Sequence, residues 1–238
     1  RDLHSFPTRR SSDLSFISGG LMKTPEISVY QAQKEIVLFG VRIQRMYGMV
    51  LDLHKMTVGQ PNEQEFEKLY TRIERYEGIS DNMEIEIANY LEQVSDAHLS
   101  DETKGKIRQM MRQIGELESI GDACNNLART LNRKQQSGKT FTQEQEAQIE
   151  QMLKLTNDSL TQMNHVLAGR REDFTMDETF RIENDINTMR DRIKVENIQA
   201  INDHKYDYAA GTLYTDLISE CEKLGDYVVN VVQARLGS

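Results

Sequence analysis

The fold is decided by ELESIGDACNN at residues 116–126, because the pattern returns as ECEKLGDYVVN at residues 220–230. The two stretches share Glu, Glu, Gly, Asp and Asn at a constant offset of 104 residues. A chance recurrence of this kind is improbable, so the sequence indicates an internal repeat. A weaker match aligns residues 77–87 with residues 183–193 at an offset of 106, with Asn187 in the place of Asp81.

Apolar residues at helical spacing lie around both copies of this motif. The clearest stripe contains Ile107, Met110, Ile114 and Leu117, which follow one another at intervals of three or four residues. This spacing is typical of one buried face of an α-helix. Similar stripes predict an all-α fold of two tandem three-helix bundles with six long helices. We expect the first three-helix repeat to cover residues 25–137 and the second to cover residues 138–236.

Four sites carry the residue types that begin helices. Pro25 follows Thr24 at a predicted first helical position, and Ser100 is a predicted N-cap of the third helix. Two pairs have the spacing of a capping box, in which a Thr and a Glu or Gln three residues later each bond to the other's backbone amide. These pairs are Thr142 with Gln145, and Thr175 with Glu178.

Composition restricts the class of protein. The chain has 238 residues, of which 38% are apolar and 28% charged, and its formal net charge is −9. This apolar content is enough for a folded core, and the acidic balance disfavours nucleic acid as a partner while favouring cations. Cys124 and Cys221 lie inside helical patterns, so we expect free thiols in a reducing compartment.

The first residues differ from the rest. Residues 1–14, RDLHSFPTRRSSDL, fit no helical pattern and look like translated sequencing-adapter read-through. We exclude them from the fold as an artefact and interpret residues 15–24 as a linker. The natural protein is then expected to extend upstream.

The repeated motif carries carboxylates four residues apart, on one face of a helix. The pairs are Glu77 with Asp81, Glu118 with Asp122 and Glu222 with Asp226. Each such pair costs only about 0.2–0.5 kcal/mol in an isolated helix. If packing brings two pairs together, however, the accumulated charge requires protons, basic partners or a cation. Oxygen ligands alone suit Mg, Ca, Mn or iron, so the sequence predicts a site for a divalent or trivalent metal ion.

Solvated surface is the alternative interpretation of these pairs, since Glu63 with Glu67 has the same spacing. The recurrence of Gly before the Asp and of Asn four residues after it favours a site on the third helices. Gly121 itself is better explained by close helix contact than by a ligand role. No His stands three residues after a Glu at the spacing of di-iron enzymes, and no catalytic triad motif occurs. A carboxylate metalloenzyme is therefore the least favoured class, and we predict no enzyme activity.

The motifs at residues 116–126 and 220–230 resemble the paired Glu-x-x-x-Asp motifs of the PhoU family of phosphate-signalling proteins. The resemblance covers residues 25–236. It implies two bundles side by side and multinuclear metal binding on a carboxylate surface. The residues at matching positions are Glu77, Asp81, Glu118, Asp122, Glu183, Glu222 and Asp226. Asn187 departs from the pattern and leaves the second repeat one carboxylate short, so we expect metal to bind mainly through the first repeat.

Two segments of the chain resemble one particular group within this family. LMKTP at 21–25 leading into QAQKE at 31–35, together with residues 206–232, resemble the cytoplasmic tail of bacterial sodium/phosphate cotransporters. The resemblance implies a regulatory domain at the cytoplasmic side of the inner membrane, with the transporter's membrane domain as partner. A free-standing cytoplasmic regulator that acts with phosphate-signalling proteins is the alternative, and homodimerisation stays open.

Overall fold

The structure is a computed structural model that describes residues 14–17, 24–60 and 62–237. Six long α-helices, a short 3-10 turn and no strand occur within these ranges. The helices are α1 Pro25–Met56, α2 Glu63–Ser95, α3 Asp101–Ser137, α4 Gln143–Ala168, α5 Asp177–Asn202 and α6 Tyr208–Leu236. The predicted all-α fold with six long helices is confirmed. Most of residues 1–14, interpreted above as an artefact, and much of the 15–24 linker lie outside the described residues.

Two three-helix bundles lie side by side. In the first, α1, α2 and α3 each contact the other two, and α4, α5 and α6 do the same in the second. The bundles meet along α3 with α6 and along α1 with α4. Their apolar side chains form one continuous hydrophobic cluster. Burial of this apolar surface provides the main stabilisation of the fold.

Helices α3 and α6 are central, whereas α2 and α5 lie outside. α3 buries 16 of its 37 residues, but α2 buries only seven of its 33, because α2 packs mainly on α1 and α3. Consequently Leu69 and Tyr76, which belong to the predicted α2 stripe, are only partly buried. The α3 stripe is buried along its length, and Cys124 and Cys221 are buried free thiols.

Three of the four predicted helix starts are confirmed. Thr24 precedes Pro25 at the start of α1, and the Ser100 hydroxyl accepts a hydrogen bond from the Thr103 amide at 3.2 Å. Thr142 and Gln145 form the reciprocal capping box, with bonds of 3.1 and 2.9 Å. The Ser100, Thr142 and Gln145 side chains satisfy amides that a helix leaves without partners at its start, whereas the Thr24 side chain forms no capping bond.

The predicted capping box of Thr175 and Glu178 is wrong. Helix α5 begins at Asp177, and Met176 is its N-cap residue without any side-chain cap. The Glu178 carboxylate instead accepts two hydrogen bonds from Arg181, at 2.6 and 2.9 Å. A bidentate, charge-assisted contact is stronger than a bond to a neutral amide, so Glu178 does not turn back to the helix start.

Gly121 allows α3 to lie close to α1 and α2. A Cβ at this position would be 3.2 Å from Ile43 Cδ1 and 3.5 Å from Ser80 Cβ. In the second bundle, a Cβ at Gly225 would be 3.3 Å from Ile186 Cδ1. Ile186 occupies the position equivalent to Ser80 at the offset of 106. The interpretation of this glycine as a close helix contact is therefore confirmed, and the contact is repeated.

We expect Gly121→Val to lower the free energy of unfolding by about 1–3 kcal/mol, because the added methyl groups force α1, α2 and α3 apart. Gly115→Ala on the same helix is the matched control, since nothing lies within 4 Å of its added Cβ. It should raise the free energy by up to about 1 kcal/mol through helix propensity. Urea unfolding measures both. An unchanged free energy for Gly121→Val would contradict the close contact.

Candidate metal centre

The close contact at Gly121 brings carboxylates of α2 and α3 together. One carboxylate oxygen from each of Glu77, Asp81 and Asp122 lies within 4.8 Å of the others. We define the first cluster as these three residues with Glu118 on α3 and Glu84 on α2. All five side chains are partly exposed, so solvent and ions can reach them.

Glu118 joins the cluster through hydrogen bonds with Asp122 and Asp81. Burial, followed by these bonds and the charge of Asp122, raises the pKa of Glu118 to about 8. Burial and the charge of Asp81, together with contact with Asp122, raise the pKa of Glu77 to about 7. The metal-free cluster therefore retains protons near neutral pH, which a cation could replace.

Glu84 is a fifth carboxylate of the first cluster that our sequence reasoning missed. It lies on α2, three residues after Asp81 and therefore on the same helical face. Burial is the largest cause of the raised pKa of Glu84, and the charges of Asp81 and Asp122 raise this pKa further. The spacing of three residues between Asp81 and Glu84 is the sequence feature that indicates this role.

The second cluster, in the other bundle, consists of Glu183, Asn187 and Arg190 on α5 with Glu222 and Asp226 on α6. Burial and a hydrogen bond with Glu183 raise the pKa of Asp226. Burial and the charge of Asp226 raise the pKa of Glu222. All three predicted carboxylates of the second repeat therefore lie together, but with two neighbours that are not acidic.

Arg190 supplies a positive charge inside the second cluster. Its Nη1 lies 2.7 Å from Glu222 Oε1, and both side chains are mostly buried. At the offset of 106, Arg190 occupies the position of Glu84. Asn187 replaces Asp81, and its Oδ1 is buried without a hydrogen-bond partner. Fully ionised, the first cluster has five negative charges, whereas the second has three negative charges and one positive charge.

The repeated Asn serves a different purpose from the one that the sequence suggested. Asn126 Nδ2 donates to Glu220 Oε1 at 3.0 Å, and Asn230 Nδ2 donates to Glu116 Oε2 at 3.2 Å. These reciprocal bonds join α3 to α6, which run antiparallel. The first Glu and the Asn of each motif therefore hold the two bundles together, while the second Glu and the Asp belong to the clusters.

Oxygen atoms alone form the first cluster, at separations that one cation can bridge. Hard cations such as Mg, Ca, Mn or iron prefer such ligands, and they balance charge that otherwise requires protons. The first cluster therefore fits a metal ion. The second cluster fits one less well, because Arg190 already neutralises Glu222.

Two solved structures are similar to this chain. One is the phosphate transport system regulatory protein PhoU from Streptococcus pneumoniae, with a TM-score of 0.73 and 14% sequence identity. The alignment covers 89% of this chain and 95% of that protein. PhoU from Pseudomonas aeruginosa has a TM-score of 0.67 and 11% identity over 89% of this chain and 96% of its own. At such identities the similarity shows that the fold is PhoU-like.

No protein-family model matches the chain, and no curated protein matches it. Within the described residues, no helix combines the length and the apolar content that a bilayer crossing requires.

The raised pKa values predict that metal-free protein loses stability as the pH rises. A carboxyl group whose pKa is higher in the folded protein than in the unfolded chain binds its proton more tightly when folded. This stabilisation is complete below the ordinary pKa of 4.5 and is lost as the pH passes the folded values of about 7 and 8. Urea unfolding in a chelator should therefore give a lower free energy at pH 8.5 than at pH 5.5.

Replacement of both carboxyls with amides, Glu77→Gln with Glu118→Gln, should reduce this difference between the two pH values. Glu92→Gln is the control, because Glu92 is an exposed carboxylate elsewhere on α2. An unchanged pH dependence in the double variant would show that the cluster does not hold protons.

Proposed function

We propose that this chain is a cation-binding regulatory domain in phosphate transport, and specifically the cytoplasmic PhoU-like domain of a sodium/phosphate cotransporter. The observation that carries the proposal is the first cluster, a set of five carboxylates on a PhoU-like fold. The named role of the similar Streptococcus pneumoniae protein, regulation of phosphate transport, supports the functional part. The domain would regulate without catalysing a reaction.

The bound species in this proposal is a divalent or trivalent metal ion of the Mg, Ca, Mn or iron class. Glu77, Asp81, Glu118 and Asp122 would hold it, with Glu84 at the margin. Negative charge on α2 faces negative charge on α3, so a cation between them would favour their contact. Regulation would then act on α2, the outer helix of the first bundle.

The second bundle would respond less to the cation. Arg190 on α5 already contacts Glu222 on α6 at 2.7 Å and so provides a permanent positive charge between these two helices. Glu183, Glu222 and Asp226 would hold a metal only weakly. The contact between α2 and α3 would thus depend on metal concentration, whereas the contact between α5 and α6 would not.

The partner in this proposal is the membrane domain of the transporter, on the cytoplasmic side of the inner membrane. A free-standing PhoU regulator is the alternative, favoured by the alignment over 95% and 96% of two PhoU chains. The upstream sequence of the natural gene product discriminates between them. Several apolar segments of about 20 residues would support the transporter, and their absence would support the regulator.

Thermal melts with and without Mn²⁺ test cation binding. A cation that binds only the folded protein raises its melting temperature. Glu118→Gln with Asp122→Asn should remove most of this Mn²⁺-induced shift, because both residues belong to the first cluster. Glu222→Gln with Asp226→Asn is the matched variant and should leave most of it. Equal losses would contradict the asymmetry, and no shift in the parent protein would contradict the site.

A gain-of-function variant tests the asymmetry independently. Asn187→Asp with Arg190→Glu gives the second cluster the acidic residues of the first. We expect a larger Mn²⁺-induced shift than in the parent protein and an additional equivalent of bound Mn²⁺ by equilibrium dialysis. Unchanged Mn²⁺ binding would show that Asn187 and Arg190 do not explain the difference between the clusters.

A further inference from the structure

A cavity of about 800 Å³ lies at one end of the molecule, and no residue of either cluster lines it. Its walls come from the beginnings of α1 and α3, the end of α4, the 3-10 turn at residues 171–173 and the end of α6. Val29, Val37, Leu38, Met110 and Leu167 provide apolar surface. This volume is within the range of about 300–1,000 Å³ that is usual for small-molecule sites.

The charge of the cavity is opposite to that of the protein. Among the described lining residues, five are cationic and three are acidic, in a chain with a net charge of −9. The cationic residues are Lys34, Lys106, Arg170, Arg171 and Arg235, and the acidic residues are Glu26, Glu102 and Glu172. Lys106 pairs with Glu102 at 3.2 Å and Arg170 with Glu172 at 4.0 Å, so Lys34, Arg171 and Arg235 provide the excess positive charge. An anion that approaches this cavity therefore encounters local attraction.

Arg171 and Arg235 lie at the helix ends and have hydrogen-bonding capacity to spare. Arg235 Nη2 donates to the Gly169 carbonyl at 3.0 Å, and Arg171 Nη2 donates to the Leu236 carbonyl at 3.1 Å. These bonds cap α4 and α6, but they use only part of each guanidinium, which has five N–H donors. In the described part of the chain, neither arginine forms a salt bridge with a carboxylate.

The surroundings of Arg235 disfavour the positive charge of its guanidinium. Burial lowers its pKa, the positive charge of Arg171 lowers it further, and the negative charge of Glu172 offsets part of this effect. Its Nε is buried and has no hydrogen-bond partner. A buried donor without an acceptor is destabilising, and the helix caps leave this donor unsatisfied. A negatively charged group against the accessible N–H groups of the two guanidiniums would offset the repulsion between Arg171 and Arg235.

Gln113 provides a second unsatisfied group in the cavity wall. Its side chain belongs to α3 and the residue is only 1% exposed, yet its Oε1 has no hydrogen-bond partner. Because this oxygen is itself buried, it lies behind the surface that a ligand would contact. The cavity surface offers donors for an anionic group and an apolar wall along α1.

We propose that this cavity binds a small organic anion whose acidic group lies against Arg171 and Arg235 and whose apolar body lies along Val29, Val37 and Leu38. The cationic lining and the remaining N–H donors of the two arginines select the acidic group. The apolar side chains of α1 select an organic body over a free inorganic ion. This site is independent of the cation site proposed above.

The probe for this site is 8-anilinonaphthalene-1-sulfonate, which joins one anionic group to an apolar aromatic body. We expect one saturable site by fluorescence titration of the folded protein. Arg171→Gln with Arg235→Gln should weaken binding about tenfold or more, because two charge-assisted contacts are lost. Arg192→Gln with Lys194→Gln removes the same charge on α5 and should leave the affinity unchanged. Equal affinities in these two double variants would overturn the proposal.

A cavity-filling variant distinguishes loss of binding from loss of folding, because it keeps the two arginines that cap the helices. Val37→Trp keeps both arginines and fills the apolar wall, so it should abolish binding of the probe while circular dichroism remains helical. Unchanged binding in this variant would overturn the proposal. Palmitate and adenosine monophosphate then compete as carboxylate and phosphate sources. Displacement of the probe by one of them assigns the acidic group, and displacement by neither would contradict an organic-anion site.

Discussion

The close approach of α3 to α2 is the constraint on which the candidate site depends. Gly121 has no side chain to separate α3 from Ser80, so acidic residues one turn away on each helix are forced into contact. Packing of the apolar stripes supplies the free energy that opposes the resulting repulsion. Gly225 makes the equivalent close contact with Ile186, so both bundles bring their outer helix close to the helix that carries the motif. In the second bundle Arg190 pairs with Glu222, whereas the acidic Glu84 holds the equivalent position in the first.

The two bundles are held together by polar contacts as well as by the shared core. Asn126 and Asn230 bond across α3 and α6, and a buried group of charged residues links α1, α3 and α4. In that group the Glu146 carboxylate contacts His54 Nε2 at 3.0 Å and Lys134 Nζ at 3.3 Å. Both contacts lower the pKa of Glu146, against the opposing effect of burial. A movement of α2 would therefore take place against α1, α3, α4 and α6, which these contacts join to one another.

The sequence predicted the helices well, because apolar spacing and residue types at helix starts are local properties. Similarly, the repeated motif identified Glu118 and Asp122, which the structure places together. The exchange of Glu84 for Arg190 was missed, because a repeat search draws attention to residues that are kept and not to those that differ. The cap at Thr175 failed because Arg181 competes for Glu178. The cavity between Arg171 and Arg235 joins distant segments, so no local pattern predicts it.

The central claim is that the first cluster binds a cation and that Arg190 replaces the cation in the second. Anomalous X-ray scattering from crystals grown with Mn²⁺ tests this claim most directly, since it locates the metal itself. The account predicts an anomalous peak among Glu77, Asp81, Glu118 and Asp122, and none beside Arg190. A peak of equal height at Glu222 and Asp226, or no peak in the first cluster, would contradict it.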